Sequence, residues 1–230
     1  MASAAVVRRM WVLTLTQILR WFGNDRSTKL SSGMARLKTF DEETVLDRAM
    51  DLFWRQGYEG TGVQDLVDEL GISRSSLYAT FGGKEQLFLR IFDRYCSSEA
   101  GPRHALLTGP GSPLAGIRAL LLGLADAPSE YPDRRGCLVV NSAMERIPGD
   151  AGTTAAVTGQ LARLEEALHA ALRRAQAEGE IDPAADARAQ ARFLVAIVQG
   201  MRVVGKATAD RRALLDTVDV AVAALGAPVR

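Results

Sequence analysis

The stretch from Thr61 to Lys84, TGVQDLVDELGISRSSLYATFGGK, holds two short helical patterns around the tight turn Leu70-Gly71-Ile72. In the first, Val63, Leu66, Val67 and Leu70 recur at spacings of three and four, which is one face of an α-helix. In the second, Leu77 and Phe81 face inward at i, i+4. Ser75 and Ala79 lie opposite them, with Arg74 and Tyr78 along the flank. Ser73 is placed to cap that helix, because its hydroxyl can accept from a free amide of the first turn. A second break, Gly82-Gly83, follows at once. Two helices joined by a glycine turn, the second presenting small, polar and basic side chains, form a helix-turn-helix pattern that fits a major groove. The competing reading of the same pattern is an αα-hairpin that only packs.

The surrounding run from Phe40 to Phe88, FDEETVLDRAMDLFWRQGYEGTGVQDLVDELGISRSSLYATFGGKEQLF, resembles the N-terminal DNA-binding domain of the TetR (tetracycline repressor) family. The matching elements are a first helix ending in Gly57-Tyr58, Thr61, Leu70-Gly71-Ile72-Ser73, Leu77-Tyr78, Phe81, Lys84-Glu85 and Leu87, spaced without a gap. The resemblance implies a dimeric one-component transcriptional regulator, most often a repressor. Its partners would be a pseudo-palindromic double-stranded operator and a small-molecule effector of unknown identity. Activation, or repression with a bound co-repressor, is the alternative the sequence leaves open.

On that resemblance the expected DNA contacts are Thr61, Gln64, Arg74, Ser75, Ser76, Tyr78, Ala79, Thr80 and Lys84. Tyr78 and Ser76 carry hydroxyls that can reach phosphate oxygens, and Lys84 begins a helix whose free amides also favour an anion. Arg74 is the one charged residue of the second helix, and Arg prefers guanine O6 and N7. Gln64 suits an adenine edge, while Ala79 offers only a methyl contact to thymine. Base reading therefore leans on Arg74, Ser75, Thr80 and Gln64. For each of these the plain alternative is a solvated helix face.

Charge does not advertise the partner. Residues 36–84 carry six Lys or Arg against nine Asp or Glu, yet none of the acids falls between Leu70 and Lys84. The whole 230-residue chain has a net charge of +1 and 47% apolar residues. That length can bury a substantial core. Strand signals are sparse and Ala, Leu, Arg and Glu dominate the second half, which predicts an all-α protein. The division expected is an extension over 1–35, a DNA-binding domain over 36–96, and an effector-binding and dimerisation domain over 97–230.

The extension reads differently from the rest. Residues 10–22, MWVLTLTQILRWF, follow Arg8-Arg9 and are too few to span a bilayer. A signal peptide is weakly indicated, since no small-x-small cleavage site follows. Residues 1–33 fit a start assigned too early, with Met34 close to the usual beginning of such domains. They also fit a basic arm along DNA, since residues 1–38 hold seven Lys or Arg and one Asp.

In the second half, a long helix runs on from Lys84, and GPRHALLTGPGSP is expected to break it between Gly101 and Pro113. Helical runs follow over about 113–126, 135–146, 152–178, 184–207 and 210–225, with Gly179 as a stop and Asp182-Pro183 as a capped start. Arg135-Gly136-Cys137-Leu138 resembles a segment of one branch of the family in which cysteine senses electrophiles or oxidants. Arg134 and Arg135 would favour a Cys137 thiolate. The alternative is a small buried hydrophobe, and Cys96 reads as structural. Phe193, Ile197, Met201 and Val204, with Leu194 and Val198, make an apolar stripe too wide for one core face. Val218 and Val222 belong to a second stripe, and the resemblance implies that both lie in a homodimer interface. Closure of the monomer's own core is the other reading.

No enzyme signature competes. His104 and His169 are the only histidines and have no metal-ligand spacing. There is no G-x-S-x-G, phosphate loop or dinucleotide fingerprint. No metal, cofactor or membrane is expected. Two cysteines without an export signal favour a reducing cytoplasm. A helical adaptor that binds protein and not DNA is the remaining class.

Overall fold

The computed structural model describes residues 40–127 and 134–226. The readings of residues 1–33 and of the extension to residue 35 lie outside them. The described residues form the helices α1 (Glu42–Gln56), α2 (Val63–Leu70), α3 (Arg74–Phe81), α4 (Lys84–Thr108), α5 (Pro113–Asp126), α6 (Leu138–Arg146), α7 (Ala151–Ala177), α8 (Ala187–Thr208) and α9 (Arg211–Gly226). No strand occurs among them. The all-α expectation holds.

Local chemistry explains the boundaries. The Asp41 carboxylate accepts from the Thr44 amide (3.1 Å) and opens α1. Ser73 Oγ accepts from the Ser76 amide (3.0 Å) and opens α3, as its position predicted. Gly71 ends α2 with φ 67°, a left-handed geometry that costs glycine little. Gly179, at φ 73°, stops the segment after α7.

Two boundaries differ from the sequence reading. The helix begun at Lys84 does not break at Gly101 but continues to Thr108, with Pro102 inside it. Proline removes one amide donor, but packing on both sides holds the turn. Arg103 and Leu107 are buried, and Arg103 Nε donates to the Glu99 carbonyl (2.8 Å). The connection shrinks to residues 109–112, and an expected domain boundary at 96/97 falls inside a continuous helix. Likewise α8 is capped not by Asp182 but by Asp186, which accepts from the amides of Arg188 (2.9 Å) and Ala189 (3.0 Å). Asp182 instead closes the preceding turn on the Ala184 amide (2.8 Å).

Side chains pack into two apolar clusters. One joins Leu46, Phe53, Leu66, Leu77, Phe81 and Phe88 of α1–α4 to Cys137, Leu138 and Val139 at the start of α6. The other is built from α5, α7, α8 and α9 around Leu121, Leu168, Leu194 and Val218. Truncating a wholly buried leucine such as Leu77 to alanine costs about 2–5 kcal/mol. A surface contact contributes far less, so packing decides which face of α3 points outward.

Candidate DNA interface and the joint behind it

The outward face of α3 is what the periodicity foresaw. Arg74, Ser75, Tyr78 and Ala79 are exposed, while Ser76 and Thr80 are half-buried. Arg74 has no hydrogen-bond or ion-pair partner among the described residues. Ser75 and Ser76 are less free, since each hydroxyl lies within hydrogen-bond distance of Ser73 Oγ (2.8 and 2.9 Å). Gln64 is exposed on α2 and its amide donates to Asp68 (2.8 Å), so reaching a base means exchanging that bond.

Gly83 sets the Tyr78 ring. Its φ of 124° belongs to glycine, and a Cβ there would stand 3.2 Å from Tyr78 Cε1. The ring thus lies against bare backbone at the mouth of α4, with half of the residue exposed. Beside it, the Lys84 ammonium sits 4.0 Å from the Tyr58 ring centroid, which orients it by a cation–π contact. Thr61 leaves the set of expected contacts. It is wholly buried, and its hydroxyl donates to the Gly57 carbonyl (2.6 Å), holding the turn before α2.

The acids that outnumber the bases are drawn away from α3. Glu42 pairs with Arg90, and Glu43 and Asp47 pair with Arg94 of α4. Asp51 pairs with Arg55 and Arg135. The negative charge of α1 is therefore paired within the fold, while Asp65 and Asp68 of α2 accept from the Gly62 amide (2.7 Å) and the Gln64 side chain (2.8 Å).

Behind the helix-turn-helix lies a joint whose parts the sequence did not signal. Glu145 of α6 accepts the amides of Tyr58 (2.9 Å) and Glu59 (2.8 Å). Arg146, buried, lies 3.6 Å from the Tyr58 ring centroid and donates to Glu85 (2.8 Å) and Thr153 (2.7 Å). The Tyr58 hydroxyl donates to the same Glu85 carboxylate (2.6 Å). Burial, with the Glu85 bond added, pushes the Tyr58 pKa well above its ordinary value.

A cavity of about 720 Å³ opens between α1, α6 and α8 beside this joint. Cys137 lies on its wall at the first turn of α6, and the Tyr95 hydroxyl donates toward its sulfur (3.6 Å). Its expected neighbours point elsewhere. Arg135 stacks on Trp54 and pairs with Asp51, and Arg134 donates to the Ala207 carbonyl (3.4 Å). Arg202 of α8 is the buried cation on the same wall, which Arg55 and Lys206 also line. Burial opposes its charge, yet Cys137, Tyr95 and Glu99 hold its pKa above the ordinary value.

The broad stripe of α8 divides. Met201 and Val218 belong to the monomer's own core and leave the set of interface residues, because they close on α5, α7 and α9. Phe193 (39% exposed) and Val204 (43%) remain outward, and Ile197 and Val222 are half-buried. Val203 (50%) and Val220 (69%) are also exposed and were not foreseen; Val203 lies on the wall of the cavity between α1, α6 and α8. Among the described residues no His, Cys, Asp and Glu group could hold a metal, and no helix is long and apolar enough to cross a membrane.

Known proteins share both halves. Residues 45–91 match the family described as "Bacterial regulatory proteins, tetR family", and residues 113–220 match "Tetracyclin repressor-like, C-terminal domain". The chain is 37% identical over 193 residues to the uncharacterized HTH-type transcriptional regulator YezE of Bacillus subtilis (strain 168), spanning 84% of this chain and 100% of that protein. It is 31% identical over 192 residues to the HTH-type transcriptional repressor ComR of Escherichia coli (strain K12), spanning 83% and 91%. A solved structure of the TetR family transcriptional regulator CifR, a cysteine mutant complexed with 26 bp of double-strand operator DNA, superposes with a TM-score of 0.74. It is 32% identical and covers 83% of this chain and 99% of that one. With an outward recognition helix in the first matched segment and a helical domain in the second, this protein belongs to the TetR family of bacterial regulators and is a helix-turn-helix transcriptional regulator.

Proposed function

We propose that the chain is a cytoplasmic, dimeric repressor that leaves its operator when a small molecule binds, and that it acts by binding alone, without catalysis. Residues 36–96 serve as the DNA-binding domain and 97–230 as the effector and dimer domain, joined through α4. The observation that carries this reading is the acid-free outward face of α3, with Arg74 and Tyr78 exposed beside Lys84. Arg74 reads a base edge, with Ser75, Thr80 and Gln64 assisting and Ala79 against a thymine methyl. Tyr78, Ser76 and Lys84 hold phosphates. ComR is named a repressor and CifR was solved on operator DNA, which supports the same role here. Phe193, Ile197, Val204 and Val222 form the proposed homodimer face. Two recognition helices must meet major grooves about 34 Å apart, so a ligand that alters their separation alters affinity.

The test is a gel shift against DNA upstream of the chain's own coding region, repeated at rising salt without ligand. A sequence-specific shift that weakens with salt is expected. Its absence at low salt sinks the reading.

A second reading draws on Cys137, which lines the cavity and whose sulfur accepts a hydrogen bond from the Tyr95 hydroxyl. Modification there by an electrophile or oxidant would disturb α6 at its first turn. Cys137→Ser should then bind operator normally and ignore electrophiles; a variant released as readily as the parent removes Cys137 from sensing.

A further inference from the structure

Two buried guanidiniums, Arg202 of α8 and Arg103 of α4, lie beside a single carboxylate, Glu99. Arg202 is only 9% exposed at its side chain, and its nearest carboxylate, Glu99, is 4.0 Å away. Its guanidinium donates no hydrogen bond to any described residue. Arg103, also buried, spends Nε on the Glu99 backbone carbonyl and has no ion-pair partner among the described residues. Burial, with the neighbouring charge of Arg202 added, holds the Arg103 pKa below its usual value. One turn before Arg202 on the same stripe of α8, Gln199 Nε2 is buried without an acceptor. The two guanidiniums thus share one half-buried carboxylate.

A buried cation without a hydrogen-bonded partner is costly, so such an arrangement persists where something else supplies the acceptor. Arg202 faces the cavity between α1, α6 and α8, whose volume suits a small ligand. Trp54 and Val140, both half-buried, supply apolar surface on its wall. At its rim the Lys206 ammonium donates to Asn141 Oδ1 (2.8 Å), adding a second cation.

We propose that this cavity binds a small organic anion, its oxyanion on the Arg202 guanidinium and its apolar body against Trp54 and Val140. The inference rests on the effector-controlled reading above and names the effector's chemistry. A planar guanidinium matches a carboxylate or phosphate through paired N–H donors. The position also gives the ligand a lever: the same cavity is walled by Glu145, which grips the turn before α2.

Two measurements on the full chain test it. The first is thermal unfolding of the parent and of Arg202→Met, each with and without benzoate or phenyl phosphate. At least one anion should raise the parent's melting temperature and leave that of Arg202→Met unmoved. No shift in the parent, or an equal shift in the variant, overturns the proposal. The second is calorimetric titration with benzoate, cinnamate, phenyl phosphate and neutral benzyl alcohol. At least one anion should bind saturably and the alcohol should not, with benzoate against phenyl phosphate separating carboxylate from phosphate. Arg202→Met should weaken the anion by about tenfold or more. Arg192→Gln, an exposed arginine on the same helix, should leave it unchanged. An absence of binding by all three anions, or equal binding by Arg202→Met, overturns the proposal. A chain that shifts its operator but binds no anion loses only this inference; one that binds anions but no DNA loses the regulatory reading beneath it.

Discussion

Glu145 holds Tyr58 by its backbone: one carboxylate oxygen accepts the Tyr58 amide at 2.9 Å while the other takes that of Glu59 at 2.8 Å. The approach requires Gly57, where φ is 78° and a Cβ would meet Glu145 Oε1 at 2.7 Å. An acidic residue of the second half of the chain thereby fixes the turn that aims α2 and α3. Immediately beside it, Arg146 clamps the Tyr58 ring and Glu85.

Glu145→Ala should loosen that turn. Charge-assisted bonds of this kind contribute about 1–3 kcal/mol net. The expected loss in melting temperature is roughly 2–4 °C per kcal/mol for a chain of this size. Operator affinity should fall with it, and Glu145→Gln should recover part of both. Unaltered unfolding and operator binding in Glu145→Ala would show that the contact is idle.

Arg74→Ala should change which operators are preferred, not merely how tightly DNA is held. Losing a paired contact to guanine relaxes discrimination at one base pair by about 1–3 kcal/mol. Lys84→Ala should instead weaken binding to all sequences and reduce the salt slope by about one. Binding measured across a library of operator variants separates the two. An unchanged operator ranking removes Arg74 from base reading.

Acid should unfold the protein partly through its helix caps. Hydrogen bonds from the Thr44 side chain and amide lower the Asp41 pKa, the Thr153 amide lowers that of Asp150, and the Ala189 amide lowers that of Asp186. Each carboxyl binds its proton more readily in the unfolded chain. Its stabilisation is therefore complete above the unfolded pKa of about 4 and drains away as pH falls through the lower folded value. The triple variant Asp41→Asn, Asp150→Asn, Asp186→Asn keeps capping oxygens but has nothing there to titrate. Denaturant melts between neutral and acid pH should show a shallower loss of stability than the parent's.

Phe193→Glu, alone or with Val204→Glu, should place charge on the outward apolar face of α8 and yield monomers by sedimentation. Met201→Ala should act differently, because Met201 is buried: about 2–5 kcal/mol of stability is lost before association is affected. A Phe193→Glu, Val204→Glu chain that sediments as the parent does would place the interface elsewhere.

Much of the DNA-facing half was legible because its information is local. Leu66, Leu70, Leu77 and Phe81 mark the buried faces by spacing, Gly71 marks the turn, and Ser73 marks the start of α3. Cap and period act within one or two turns, where sequence neighbours are spatial neighbours. The same logic predicted a break at Gly101-Pro102 and a cap at Asp182. There the local signal lost to packing, through Arg103 and Leu107 in one case and the Asp186 cap in the other.

Sequence by itself determined the all-α class, the helix-turn-helix and the outward set Arg74, Ser75, Tyr78 and Ala79. Tertiary structure alone decided how the broad apolar stripe of α8 divides, since Met201 and Val203 differ in burial and hardly in hydrophobicity. It alone withdrew Thr61 into the turn. It alone joined Glu145 to Tyr58, separated by 87 residues, and set Arg202 on the wall of a cavity. Such pairings follow from which helices pack together, and hydrophobic period records that a face is buried without recording what buries it.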